Sequence, residues 1–278
     1  MIDARAEILR QQQFWAANHN IEVDSSGCYT KALDANLFQP MHSDTLADFQ
    51  RGSGDELGEN GRRGKMQALH SSSALAVNFF DYWRGLSLTW LQDAMSLNSK
   101  PVSLCFEKKF PTRLPGTPPN LDVALFLADG KTVAVESKFT ETYAHANHEE
   151  PFKDSYFPTG DGLWLKRGLP RCQRLAGRLQ RRESKFQYLN GAQLLKHVLG
   201  LAQPGVGQFT LFYLWYAVPS NEATQHAKEV KEFTDEVGFE LDVRALTYQE
   251  LFSSARRDLG DDHQAYLSYI EERYFSLE

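Results

Sequence analysis

The stretch NLDVALFLADGKTVAVESKF, residues 120–139, reads as two apolar strands joined by a turn at Asp129-Gly130. Three charged residues, Asp122, Glu136 and Lys138, sit inside it. The length of the turn decides which way they point. A two-residue loop at 129–130 would set Asp122 opposite Ser137 and turn Glu136 to the other side of the hairpin. A three-residue loop, Ala128-Asp129-Gly130, sets Asp122 opposite Glu136 and puts Gly130 where a left-handed backbone is needed. The three-residue register also sorts the side chains. Val123, Leu125, Leu127, Val133 and Val135 fall on one wholly apolar face, fit to lie against a helix. Asp122, Ala124, Phe126, Ala134, Glu136 and Lys138 share the other. On that sorting the three-residue register is expected.

Two carboxylates directly opposed across a strand pair repel each other. A divalent cation reverses the sign, and hard oxygen ligands suit Mg²⁺ or Mn²⁺, which keep several waters and accept phosphate as a further ligand. Lys138 projects from the same face as Glu136, where an ammonium could orient an attacking water or offset charge in a transition state.

The flanking pattern places this hairpin within a larger sheet. Residues 4–18 predict a helix. Residues 20–65 are rich in Gly, Asp, Ser and Asn, with a glycine-rich loop at 51–65. A helix capped by Ser71, Ser72 or Ser73 follows, with Leu75, Val77, Phe80, Trp83 and Leu86 as its apolar recurrences. Residues 102–110 predict a strand and 111–119 an irregular connection. After the hairpin comes a long, mostly polar insertion at 140–184. A helix is expected over 185–202, a central strand over 208–218, a helix near 221–237 and a strand near 239–247. Helices near 248–258 and 261–276 close the chain. The expected fold class is α/β, a mixed sheet flanked by helices.

Asp122 followed by Glu136-Ser137-Lys138 on the next strand resembles the active-site motif of the PD-(D/E)XK, or restriction-endonuclease-like, nuclease superfamily. The stretches SSSALAVNFF (71–80), FEKKFP (106–111), PPNLDVAL (118–125) and VESKF (135–139) resemble, more narrowly, a bacterial branch of uncharacterised nuclease-like proteins within it. The likeness covers roughly residues 70–218. One departure stands out: Leu121 precedes Asp122 where the motif has proline, and the prolines lie at 118 and 119. The resemblance implies an α-β-β-β-α-β core and metal-dependent hydrolysis of DNA phosphodiesters, read here as an endonuclease. It makes Asp122 and Glu136 metal ligands and Lys138 the catalytic lysine. Residues 1–66 would then be an N-terminal helix and glycine-rich segment packed on the core. Residues 67–278 would form the nuclease-like domain, with a basic insertion at 140–184. A nuclease fold that binds DNA or acts as a scaffold without chemistry, and an RNA-processing nuclease, share the same motif.

Further residues could join the site. Glu107, in the strand before the hairpin, could supply a third carboxylate to the metal, or be a strand-end charge beside Lys108 and Lys109. Glu56 lies among glycines that would let its segment approach a metal or phosphate, although the loop lacks P-loop spacing. Gln193 and His197 share a helix face, with Lys196 three residues from Gln193. QLLKH resembles an arrangement that some superfamily members place near the metal or the DNA backbone, and a polar helix edge is an equal alternative. His145 and His148, beside Glu149 and Glu150, have helical spacing but no HExxH or CxxC support for zinc. His70 beside Ser71–Ser73 lacks the G-x-S-x-G elbow of a serine hydrolase.

The chain of 278 residues carries a net charge of −6, so any affinity for nucleic acid must come from a local patch. Residues 166–185 supply one. Arg171, Arg174, Arg178, Arg181 and Arg182 recur at three- and four-residue steps, followed by Lys185, and on a helix they would form a stripe able to follow phosphates. Arg62, Arg63 and Lys65 could add a second arm. A homodimer would supply one site for each strand of a duplex. The 3 cysteines are too scattered for a disulfide framework or a zinc knuckle. There is no run of 18 apolar residues and no apolar leader at the N-terminus. A cytoplasmic protein with reduced thiols is expected, bound to no membrane.

Overall fold

The structure, a computed structural model, describes residues 3–276 except 53, 59, 60, 117, 145–151 and 161. His145, His148, Glu149 and Glu150 therefore lie outside the described residues. The hairpin is the spine of the molecule. Strands β2 (Asn120–Leu127) and β3 (Thr132–Lys138) are antiparallel, and their ladder sets Val123 opposite Val135, Ala124 opposite Ala134, Leu125 opposite Val133 and Phe126 opposite Thr132. This is the three-residue register. The Leu127 N–H donates to the Lys131 carbonyl at 2.9 Å, and Gly130 is left-handed with φ 84°. A side chain at Gly130 would clash with its own backbone in that conformation, which is why the turn takes glycine.

Three further strands complete one five-stranded sheet. β1 (Pro101–Lys109) pairs antiparallel with β2, while β4 (Phe209–Trp215) and β5 (Asp242–Thr247) add in parallel beyond β3, giving the order β1-β2-β3-β4-β5. β3 is thus the central strand, covered on both faces, and every residue from Thr132 to Ser137 is buried. A mixed sheet of this kind needs helices on both sides. Helices α1 (Ala4–Asn18), α2 (Ser43–Arg51), α3 (Ser72–Phe80) and α4 (Trp90–Ala94) precede the sheet in sequence. Helices α5 (Pro170–Gln180) and α6 (Gly191–Leu201) lie between β3 and β4, and α7 (Asn221–Val237) between β4 and β5. Helices α8 (Tyr248–Asp258) and α9 (Gln264–Ile270) follow, the latter running into a π-turn at Glu271–Phe275. Among these, none is long and apolar enough to cross a membrane.

Helix α3 starts where its cap allows. The Ser71 hydroxyl accepts from the Ala74 N–H at 3.2 Å, so of the three serines the first is the cap. Its residues from Ala74 to Phe80 are all buried, and it lies against β2 and β3. Phe79 meets the Tyr248 ring edge-on at 4.7 Å, and the Tyr248 hydroxyl is 2.6 Å from that of Ser137. The apolar hairpin face therefore looks toward α3 and α8. The helix stops at Phe80 rather than running through Trp83 and Leu86. A single 3₁₀ turn, Asp81–Trp83, ends it, and the chain reverses at Gly85 with φ 79°.

Two helices start against carboxylates, one buried and one half-buried, that the sequence pattern does not reveal. Glu229 of α7, only 2% exposed, accepts from the backbone N–H groups of Gln187, Tyr188 and Leu189 at 2.8–2.9 Å. That turn delivers Asn190, whose side chain caps α6 by accepting from the Gln193 N–H at 3.0 Å. The expected helix at 185–202 is accordingly delayed to 191. Glu240 plays the same part for α5, accepting from the Arg171 and Cys172 N–H groups at 2.8 and 2.6 Å. The insertion at 140–184 is less polar inside than its composition suggests: Phe152, Trp164, Leu169, Cys172 and Leu175 all join the core.

The N-terminal segment is fastened to the C-terminal π-turn. Arg273, 2% exposed, donates to the Asn36 carbonyl at 2.7 Å and the Tyr269 hydroxyl at 2.6 Å, and its guanidinium lies 4.3 Å from the Trp15 ring. Gln12 of α1 donates to the Arg273 carbonyl at 2.9 Å.

Removing the Glu229 carboxylate leaves three backbone N–H groups without their acceptor, that of Leu189 buried and the other two part-buried, and a buried one costs about 1–3 kcal/mol. Glu229→Ala is expected to lower unfolding free energy by about 3 kcal/mol or more in urea titrations. Gly200 makes a second test. A Cβ there would stand 2.2 Å from the Phe110 carbonyl oxygen. Gly200→Ala should therefore destabilise by about 1–3 kcal/mol despite alanine's better helix propensity.

Candidate active site

The sheet brings the three charged residues of the hairpin together at one end. Glu136 is 1% exposed, and its Oε1 accepts from the Lys138 ammonium at 2.6 Å and from the Gln193 side-chain amide at 2.7 Å. Gln193 and the buried His197 reach it from α6, so the polar hairpin face is the one covered by that helix. His197 Nε2 stands 3.0 Å from Glu136 Oε2, an ion-pair distance without hydrogen-bond alignment. Glu136 Oε2 is consequently a buried carboxylate oxygen with no hydrogen-bond donor.

Asp122 lies one step beyond the last ladder pair, Val123 with Val135, on the same face as Glu136. Its Oδ2 accepts from the Ser137 N–H at 2.6 Å. Asp122 and Lys138 keep part of their surface open, whereas Glu136 does not. Water can therefore reach the site from the Asp122 and Lys138 side.

Electrostatics divides the two carboxylates. Burial pushes the Asp122 carboxyl well above its ordinary 3.8, and the Glu136 charge pushes it further; Lys138 and the Ser137 N–H only partly offset this. For Glu136 burial also favours the neutral acid, but Lys138 and His197 outweigh it and hold the group at about 2. Burial likewise disfavours the Lys138 ammonium, yet Glu136 and Asp122 outweigh it and keep the pKa above its ordinary 10.5. Lys138 is a fixed cation in this arrangement and cannot serve as a general base.

Glu107 approaches from the next strand. The β1–β2 ladder pairs Phe106 with Val123 and Lys108 with Leu121, so Glu107 falls opposite Asp122. The ladder omits that one pair, and Glu107 has φ 50°, a left-handed backbone that a glutamate rarely adopts. Its Oε2 accepts from the Asn120 side chain at 2.7 Å, and the Asn120 Oδ1 is buried without a partner. Burial raises the Glu107 pKa. Asn120 pulls it back, and the negative charges of Glu56 and Glu136 raise it again. The distortion is clamped from outside: Asp48 of α2 accepts from the Phe106 N–H at 3.0 Å and holds the Arg84 guanidinium at 2.7 Å. Composition in residues 20–65 gave no sign of α2, and neither it nor Asp48 was anticipated.

Glu56 is near enough for its charge to be felt at Glu107. Its placement explains Gly64. The Lys65 and Met66 N–H groups donate to the Asp55 and Glu56 carbonyls at 2.9 and 3.0 Å, and a Cβ at Gly64 would lie 2.3 Å from the Glu56 carbonyl oxygen. The loop glycines let two backbone segments close on each other. Among the described residues no three His, Cys, Asp or Glu side chains stand grouped as a metal cluster.

The basic stripe is only partly available. Arg171, Arg174 and Arg178 lie on α5, but the helix ends at Gln180, with Arg181 as its cap and Arg182 beyond it at φ 60°. Arg178 pairs with Glu236 of α7 at 2.9 Å, and Arg171 lies 4.0 Å over the Phe239 ring. Arg181 is paired with Glu183 at 2.7 Å. Arg174 and Lys185 face solvent. Lys196 is half-buried, 5.3 Å from the Phe152 ring, and burial followed by Lys153 lowers its pKa.

Because the fold favours a neutral Asp122, its stabilising share is complete at pH below the ordinary 3.8 and is lost as pH rises through the raised value. Asp122→Asn removes that penalty while its amide oxygen can still accept from the Ser137 N–H. In metal-free buffer at pH 8 the variant is expected to melt about 2–4 °C above the parent, as a gain near 1 kcal/mol would give. A lower midpoint would contradict the like-charge strain.

Comparison with known proteins adds one finding. No curated protein and no solved structure matched the chain. A family model described as "Restriction Endonuclease associating with ARP" matches residues 3–275, and the chain belongs to that restriction-endonuclease family.

Proposed function

We propose that the chain is a metal-dependent nuclease that hydrolyses DNA phosphodiester bonds as an endonuclease. The observation carrying this reading is the meeting of Asp122, Glu136 and Lys138 at the open end of β2 and β3, with Glu136 Oε2 buried and undonated. The order α3, β1–β3, α6, β4 supports a restriction-endonuclease-like core around it.

The residues fit Mg²⁺ or Mn²⁺. Such ions take one or two protein carboxylates and complete their shell with water and phosphate, so a cluster of three protein ligands is not required. Asp122 and Glu136 would hold the ion, with Glu107 facing Asp122 as a further oxygen donor and Glu56 behind it. A bound ion would supply Lewis-acid polarisation of the phosphodiester and a more acidic water. The chain's own residues do the rest. Lys138, a permanent cation, directs the attacking oxygen and offsets charge developing on the phosphorus oxygens. Gln193 fixes the Glu136 carboxylate by donating to Oε1, and His197 closes the far side of the same group. The exposed Arg174 and Lys185 could contact phosphates, whereas Arg171 and Arg178 are already engaged by α7.

Supercoiled plasmid should be cut in Mg²⁺ or Mn²⁺ and not in EDTA. Glu136→Ala is expected to abolish cutting, and Lys138→Ala to slow it about 10²–10³-fold, in proteins whose circular dichroism is unchanged. Full activity of Lys138→Ala would remove the role given to that lysine. Uncut plasmid with retained DNA binding would mark an inert binding protein, and faster cleavage of RNA would move the substrate class. Independently of activity, Mg²⁺ at 100 times its Kd should stabilise the parent by about 2.7 kcal/mol in thermal melts, and should leave Asp122→Asn unmoved.

A further inference from the structure

A polar cleft of about 400 Å³ lies beside the candidate site, between the N-terminal segment, the start of α3 and the chain following β3. Two of its walls belong to both places. Glu56 lines the cleft from the glycine-rich loop. Glu141 lines it too and accepts from the Phe139 N–H at 2.9 Å, beside Lys138 in the chain. The cleft is therefore joined to the candidate site through Glu141, on the chain just beyond Lys138.

The rest of its lining has a different chemistry. Arg5, Arg63 and Lys65 line it, all exposed. The Arg63 guanidinium lies flat on the Tyr29 ring, 3.4 Å from its centroid, and is tethered to Asp24. Its side chain still keeps 44% of its surface and lines the cleft. A planar cation backed by an aromatic ring is a stacking platform for a nucleobase, and two further cations close by suit the phosphate joined to that base. The α5 stripe, by contrast, has Arg171 and Arg178 turned onto α7.

Resting on the nuclease reading above, we propose that this cleft seats a nucleotide of the substrate strand flanking the scissile phosphodiester. The base stacks on the outer face of Arg63, and the phosphate lies between Arg5 and Lys65. A free mononucleotide shares that chemistry, and the experiment separates the two sources.

Binding of a fluorescein-labelled 12-nucleotide single-stranded DNA is measured by anisotropy on the full chain in EDTA, over a range of salt. The Arg5→Ala/Lys65→Ala double variant should bind about 5-fold or more weakly and lose about 1.4 from the slope of log K against log salt, the value for two phosphate contacts on single strands. Arg63→Lys keeps the charge and loses the plane, so it should weaken binding about 5-fold with the slope unchanged. Unchanged affinity and slope in the double variant, whose residues are exposed and spare the core, would overturn the proposal. So would AMP displacing the oligonucleotide at equal concentration, because a free-nucleotide pocket would not need the strand. Cleavage in Mn²⁺ reads the other hypothesis separately. Binding lost through these variants in a parent that does not cut would sink the nuclease and keep the cleft, whereas cutting with unaltered KM in the double variant would sink the cleft alone.

Discussion

A carboxylate at the centre of a sheet has to be held as an anion, and the architecture answers to that requirement. Glu136 lies on the central strand, almost without exposure, beside a second carboxylate. Left alone it would take a proton, since burial in a low dielectric disfavours charge. Lys138, Gln193 and His197 prevent this from one side, two of them donating to a single oxygen. The cost passes to Asp122, which has one backbone donor and a negative neighbour. An arrangement that holds one acid ionised and pushes the other toward neutrality is strained in the absence of a cation. A divalent ion held as proposed would relieve both halves at once.

Much of the rest of the molecule secures that arrangement from a distance. Glu229 fixes the turn before α6, and α6 in turn carries Gln193 and His197. Asp48 binds the backbone just before Glu107, where the strand departs from ordinary geometry and the ladder omits the pair opposite Asp122. Backbone strain persists only where the surroundings over-determine it, and α2 with Arg84 supplies that constraint. These supports are buried carboxylates satisfied by backbone N–H groups, which are stronger and more directional than a packing contact.

The N-terminal segment is more than a covering layer. The buried Arg273 fastens it to the last turn of the chain, and the close passage of Gly64 over the Glu56 backbone brings an acidic side chain to the margin of the site. The same fold-back builds the wall on which Arg63 and Tyr29 stack. The candidate site and the basic cleft are thus neighbours partly because one short loop, residues 55–66, closes on itself at glycines.

The amino-acid sequence by itself determined the hairpin. One wholly apolar face, with glycine at the third loop position, favours the three-residue register over the two-residue one, and that register puts Asp122, Glu136 and Lys138 on one face. Strand parity is local, so it can be read without knowing the fold. The limits of α1, α7 and α8 were legible for the same reason: cap and periodicity lie within a few residues. Tertiary structure alone decided the rest. Gln193 and Glu136 are 57 residues apart and meet because α6 crosses β3. Helix α2 has weak local signals and exists through Asp48, whose partners lie in β1 and at Arg84. The arginine stripe looked free because its periodicity says nothing of Glu236 and Glu240, which reach it from α7 and the turn beyond. Charges are assigned by sequence, but the partners that fix what they do are brought by the fold, because Coulomb attraction acts through space and not along the chain.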